Sequence, residues 1–322
     1  MQNIPLRQIK TEDGRTISFR KMGEGQRHLV FFHGFPGSSR QIQLFESCLT
    51  SHDLTVIAMD RPGTGLSSLA ITSQLQQAGL DTIAVTEREG WSRFEVFGVS
   101  GGCPFAFWFV EHFPDRIQRF YVVSGLGPIF ASDFKKYLSR FSRMALAVSA
   151  VLPTWALKLV GPKRMPEPRP EQKPEQKPEQ KPEQKLNKID QPRKDRPPLL
   201  EYFFKLSEAD ALCMQDSDVQ DVMSQAVSEA FLQHGKGPQA DAGVYRREGP
   251  YRLKNYLGPI DIYHGSEDLI LPWQMSEDLA RHLMREQSAG AQRLGPVKFQ
   301  KVLGEGHFSL SMNRIVDILN PN

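Results

Sequence analysis

Five residues restrict this chain more than any others: Gly98-Val99-Ser100-Gly101-Gly102, directly after the apolar run Phe94-Glu95-Val96-Phe97. A strand that turns at once into a helix forces its turning residue into a rarely populated backbone conformation. It also crowds the side chains two positions to either side, so glycine is wanted at 98 and 102. The turn lifts the Ser100 hydroxyl over the N-terminus of the next helix, where the helix dipole and free amide hydrogens favour developing negative charge. A motif this short carries weight only with partners elsewhere in the chain.

Two partners follow in order. Pro259-Ile260-Asp261-Ile262-Tyr263 reads as a strand running into His264-Gly265-Ser266-Glu267-Asp268, and Val297–Leu303 reads as the next strand, ending in Gly304-Glu305-Gly306-His307-Phe308. Serine, acid and histidine thus each fall just past the C-terminal end of a strand. Imidazole is the side chain that titrates near neutrality, so His307 suits the role of base toward Ser100. Asp268 suits the role of orienting and stabilising that imidazole. Glu267 is adjacent, but the His-Gly-x-x-Asp spacing favours Asp268, and residues 125–130 offer no competing carboxylate. Negative charge on a tetrahedral intermediate needs donors. The backbone N–H of Gly101 supplies one, and the loop His33-Gly34-Phe35-Pro36-Gly37-Ser38, after the strand at 28–32, supplies the Phe35 N–H as the other.

With these residues in view, the chain resembles the α/β-hydrolase fold superfamily, in its serine esterase-like branch with an inserted helical cap. The resemblance rests on HGFPGS at 33–38, MDRPGTGLS at 59–67, GVSGG at 98–102, HGSEDLILP at 264–272 and GEGHFSL at 304–310. It implies Ser100, Asp268 and His307 as the catalytic residues, with Phe35 and Gly101 as the oxyanion hole. Haloalkane dehalogenases and epoxide hydrolases of the same superfamily carry a carboxylate where Ser100 stands. The resemblance implies cleavage of a small or medium carboxylic ester through an acyl-enzyme. The same residues also serve hydrolysis of C–C bonds or lactones. A different class of reading is a ligand receptor or scaffold that retains the hydrolase fold.

Strand and helix patterns set the frame. Ile4–Ile9 and Thr16–Arg20 flank the hairpin signal Asp13-Gly14. Strands follow near 28–32, 55–59, 94–99 and 119–124, separated by helical patterns at about 39–50, 73–89 and 101–113. The expectation is an α/β fold: a doubly wound, mostly parallel, eight-stranded sheet with an inserted helical cap. The domain expectation is a first part of the core at 1–127, a cap at 128–255 and a second part of the core at 256–322, closing with a helix near 309–319. Crevices beyond strand C-termini bind ligands in such sheets, so the cap is expected to cover the site.

Bulk charge misleads unless it is located. Residues 161–196 hold 11 basic and seven acidic side chains, so this stretch carries +4 and the remainder −1 of a formal net charge of +3. A fourfold Pro-Glu-Gln-Lys repeat fills 170–185. The segment at about 163–196 is expected to be disordered, since it offers nothing to bury. It reads as a repeat expansion in a surface loop, with a docking tail as the alternative. The basic balance therefore does not point to nucleic acid. Three cysteines at no metal-like spacing give no disulfide framework, and the eight histidines show no metal-binding pattern. His33 and His264 read as loop-packing residues and Cys103 as a packed residue behind Ser100. The run Met144–Val160 contains Pro153, Trp155 and Lys158 and reads as an amphipathic cap helix, being shorter than the ~20 residues of a span. The cap aromatics Phe130, Phe134, Tyr137, Phe141 and Trp155 are candidates for a substrate pocket. The expected ligand is a small ester-like molecule, with no cofactor, no metal, no nucleic acid and no integral membrane segment. A protein partner is not indicated, and the expected location is cytoplasmic.

Overall fold

The central strands of this protein are covered on both faces. The computed structural model describes residues 4–49, 51–127, 135–138, 206–247, 253, 255–288 and 295–320. Among them, eight strands form one sheet: β1 (Arg7–Lys10), β2 (Thr16–Met22), β3 (Arg27–Phe32), β4 (Leu54–Met59), β5 (Phe94–Val99), β6 (Ile117–Val123), β7 (Ile260–Gly265) and β8 (Val297–Val302). Their order is β1-β2-β4-β3-β5-β6-β7-β8. The β1–β2 hairpin is antiparallel and pairs antiparallel with β4, while every other pairing is parallel.

The central strands are rich in apolar residues because both of their faces are packed. All six residues of β4 are buried. Side chains alternate between the two faces with the period of the pleat. Val30, Phe32, Ile57, Val96, Val122 and Ile262 enter one core, which holds α1 (Gln74–Arg88) and α2 (Cys103–His112). Leu29, Phe31, Val56, Phe97, Tyr121 and Tyr263 enter the other, under a 3-10 helix at Ser39–Cys48 and the closing helix. Edge strand β1 is mostly exposed, as the end of a sheet should be.

Three local differences from the sequence reading have physical causes. The segment expected as a helix at 39–50 winds as a 3-10 helix over Ser39–Cys48; periodicity alone does not distinguish this tighter winding from an α-helix. The helix expected to start at 101 begins with a 3-10 turn, Ser100–Gly102, before α2 takes over with Pro104 in its first turn. Strand β6 starts at Ile117, two residues earlier than its apolar pattern suggests: Ile117 pairs with Phe94, and the polar Gln118 and Arg119 that hide this start fall where the register with β5 shifts.

Between β6 and β7 the described residues are helical: a 3-10 turn at Lys135–Tyr137, then α3 (Glu208–Cys213), α4 (Ser217–Ala230) and α5 (Lys236–Arg247). The repeat segment 163–196, the run 144–160 and the aromatics Phe130, Phe134, Phe141 and Trp155 lie outside the described residues. Tyr137 is described, and its hydroxyl donates to Asp278. The chain closes with α6 (Trp273–Ser288), β8 and α7 (Ser309–Ile318). Among the described residues no helix is long and apolar enough to cross a membrane.

Polar side chains tie α4 and α5 to the sheet. Glu229 on α4 receives Arg20 at 2.8 Å, Arg40 at 2.7 Å and the Ser38 hydroxyl at 2.7 Å. On α5, Asp241 receives the Arg61 guanidinium at 2.8 Å in a fully buried pair.

Candidate active site

Ser100 follows directly on β5 with φ +50°, the left-handed conformation that a strand-to-helix reversal demands and that non-glycine residues rarely adopt. Close packing explains the flanking glycines. A side chain at 102 would overlap the carbonyls of Phe32 and His33, and one at 98 would sit 2.9 Å from the Ala106 methyl. The half-buried Ser100 side chain thus stands where the C-termini of β3, β5, β7 and β8 converge.

The three side chains singled out by the sequence meet there. His307 Nε2 lies 2.9 Å from Ser100 Oγ, and its Nδ1 lies 2.7 Å from Asp268 Oδ2. A carboxylate can only accept, so the ring proton sits on Nδ1 and Nε2 is left to accept from the serine hydroxyl. Asp268 is in turn held by its own loop. The Ile270 and Leu271 amides donate to Oδ1 at 2.9 and 2.8 Å. Glu267, the competing carboxylate, is exposed and turned to Ser266.

His264 performs a local task. It is completely buried. Its Nε2 faces two acceptors, Asp268 Oδ2 at 3.0 Å and the Leu271 carbonyl at 2.8 Å, which puts the proton on that nitrogen. Nδ1 then accepts the Ser276 hydroxyl at 2.7 Å. The electrostatics follow. Burial works against charge on Asp268, but the His307 ring beside it and the hydrogen bonds from His264 and His307 outweigh burial and hold its carboxyl well below the usual range. Burial likewise disfavours charge on His307, yet the Asp268 carboxylate, with a further contribution from Asp210, raises its pKa above the ordinary histidine value.

The loop at 33–38 packs directly against this group. A side chain on Gly34 would stand 3.7 Å from the Ser100 Cβ, and one on Gly101 would stand 2.6 Å from the Phe35 Cβ. The residues whose amides were expected as oxyanion donors are therefore neighbours. Three groups fix this loop. Gln41 Oε1 accepts from the Gly34 amide at 2.8 Å. Arg61 donates to the carbonyls of His33 and Gly34 at 2.6 and 3.1 Å, while its guanidinium lies 4.7 Å from the Phe105 ring centroid. Tyr245 on α5 donates to the Gly101 carbonyl at 2.8 Å and packs edge-on against Phe35, with centroids 5.2 Å apart. Burial holds the Tyr245 phenol well above its ordinary pKa, so it stays a donor.

Sequence reasoning missed Arg61, Tyr245 and Asp210. Arg61 lies in the 59–67 segment, which enters the reading only as part of the resemblance, and a buried arginine there has no local signature. Asp210, on α3, accepts from the backbone amides of His307, Phe308 and Ser309 at 2.9, 2.8 and 2.9 Å. No motif announces that contact, because the partners are 97 to 99 positions apart.

His33 bonds its neighbour's carbonyl through Nδ1, and burial beside Arg61 pushes its pKa well down, so the ring is neutral. Cys103 is fully buried behind Ser100, and burial raises its thiol pKa far above the ordinary value, which leaves it inert. Among the described residues no cluster of histidine, cysteine or carboxylate side chains suits a metal ion.

Residues 27–311 match the family described as the alpha/beta hydrolase fold. No curated protein matches the sequence. Among solved structures, the chain is similar to an esterase from Exiguobacterium antarcticum, with 18% identity, TM-score 0.62, and 97% of this chain and 96% of that one covered. A bromoperoxidase from Bacillus anthracis is 14% identical with TM-score 0.59, covering 98% and 99%. The epoxide hydrolase CorEH is 17% identical with TM-score 0.59, covering 98% and 96%. At these identities the likeness extends to the fold alone.

Proposed function

The chain belongs to the alpha/beta hydrolase fold family, and from that premise we propose that it is a serine hydrolase of small or medium carboxylic esters. The observation that carries the reading is the hydrogen-bonded path from Asp268 through His307 to Ser100. In this reading His307 Nε2 takes the proton as Ser100 Oγ attacks the ester carbonyl. Asp268 keeps the ring in the required tautomer and stabilises its cation. His307 then protonates the leaving alkoxide, which departs and leaves an acyl group on Ser100. Water, deprotonated by the same ring, attacks the acyl-enzyme and releases the acid. The Phe35 and Gly101 amides stabilise the oxyanion in both steps, each worth about 2.7–4 kcal/mol of barrier. The helices between β6 and β7 form the cap, and the substrate enters between them and the strand ends. This chemistry needs no cofactor.

The test is hydrolysis of a panel of p-nitrophenyl esters of increasing acyl length by wild type and Ser100→Ala. The reading expects repeated turnover by wild type and none by the variant. A single stoichiometric release without further turnover would instead favour a receptor that retains the fold.

A further inference from the structure

A helix needs acceptors for the amides of its first turn. Helix α7 cannot supply them itself, because the residue at its N-cap is Phe308, which makes no side-chain cap hydrogen bond. Asp210, from another element, accepts from the first of them, at Ser309, and from the two residues that lead into the helix. Its Oδ2 accepts from the His307 amide at 2.9 Å, and its Oδ1 from Phe308 and Ser309 at 2.8 and 2.9 Å. Asp210 is completely buried. It is itself placed by Ser207, the N-cap of α3, whose hydroxyl accepts from the Asp210 amide at 3.2 Å. Gly306 makes the approach feasible: a side chain there would overlap the Ser207 hydroxyl and the Asp210 carboxylate. The Asp210 carboxylate, accepting three backbone N–H bonds, therefore lies directly against the backbone of the residue whose ring contacts Ser100.

We infer that Asp210 is a positioning residue for His307, fixing the backbone of the base from α3 and adding negative charge beside it, so that the helices between β6 and β7 complete the site rather than merely cover it. The inference rests on the proposed role of His307 as general base. Other charged or titratable groups around that ring are Asp268, His264 through Asp268, and Glu305, whose carboxylate is engaged by Asn313 and Arg314. Asp210 is among the groups that raise the His307 pKa, after Asp268.

The experiment measures the rate of Ser100 phosphonylation by a fluorophosphonate against pH, in the full chain, for wild type, Asp210→Asn and Ser207→Ala. His307 ring titration by NMR and melting temperatures are recorded on the same samples. Labelling requires a neutral His307, so it rises with pH through the pKa of that ring. Removing the Asp210 charge lowers the pKa, and the midpoint of Asp210→Asn should fall by roughly 0.5–1 pH unit. Loss of backbone positioning should lower the plateau rate roughly tenfold. Ser207→Ala should move both in the same direction by less. A folded Asp210→Asn protein with the wild-type midpoint and plateau would overturn the inference, since a purely structural cap changes only the melting temperature. If Asp210→Asn does not fold, Ser207→Ala decides by the same two readouts. If wild type is not labelled at all, the hydrolase reading fails. The NMR titration then judges Asp210 separately: a lowered His307 pKa in the variant supports the inference, and an unchanged one overturns it.

Discussion

Asp268 and His307 are held in opposite ways. The acid is fixed by its own neighbourhood: the amides of Ile270 and Leu271 and the ring of His264, all within seven positions of one another. The histidine loop is fixed from afar, by Asp210 on a helix 97 positions away. The 33–38 loop follows the histidine's pattern, with Arg61 bridging its carbonyls to Asp241, itself 180 positions further on. Local anchoring makes the acid independent of the helices between β6 and β7. Distant anchoring makes His307 and the 33–38 loop depend on those helices being docked.

This contrast can be broken at several points. The largest effect belongs to Asp268→Asn, which keeps the shape but presents the wrong hydrogen-bonding partner to His307; kcat should fall about 10⁴-fold with the fold intact by circular dichroism. Arg61→Ala leaves Asp241 buried without its cation, with only the Gln74 amide still donating to it, and frees two loop carbonyls. It should cost about 3–5 kcal/mol in urea unfolding, and retained stability would show that the distant anchor is dispensable. His264→Ala removes a donor to the charged Asp268 and should cost about 1.5–3 kcal/mol by the same measurement. Tyr245→Phe removes one neutral hydrogen bond to Gly101 and should cost about 0.5–1.5 kcal/mol. The gentlest probe is acid. Asp268 has a folded pKa below its unfolded one, so its stabilising contribution is present above the ordinary carboxylate range near about 3.9 and is lost as pH falls toward the depressed value. Wild type should therefore lose stability in that window, and Asp268→Asn should lose less.

The same contrast explains what the sequence discloses. Each central strand was readable because an apolar run buried on both faces needs no knowledge of its neighbours, as in Leu54–Met59. Ser100 was readable because the reversal dictates Gly98 and Gly102 within two residues. Asp268 and its loop share one short motif, and the structure brings that carboxylate and His307 within 2.7 Å of each other. Asp210, Arg61 and Tyr245 were not readable. Their partners are fixed only once the sheet has formed, and an aspartate early in a helix ordinarily reads as a cap for its own helix. Winding was also hidden: the buried glutamines 41 and 43 sit in a 3-10 helix that apolar spacing alone does not distinguish.

Fluorophosphonate labelling of intact wild type beside Ser100→Ala, with the mass of the modified peptide read out, tests the central claim most directly. The account predicts one adduct per chain, on Ser100, and none in the variant. Folded wild type that takes no label, or takes it equally in Ser100→Ala, would contradict an activated serine at the end of β5.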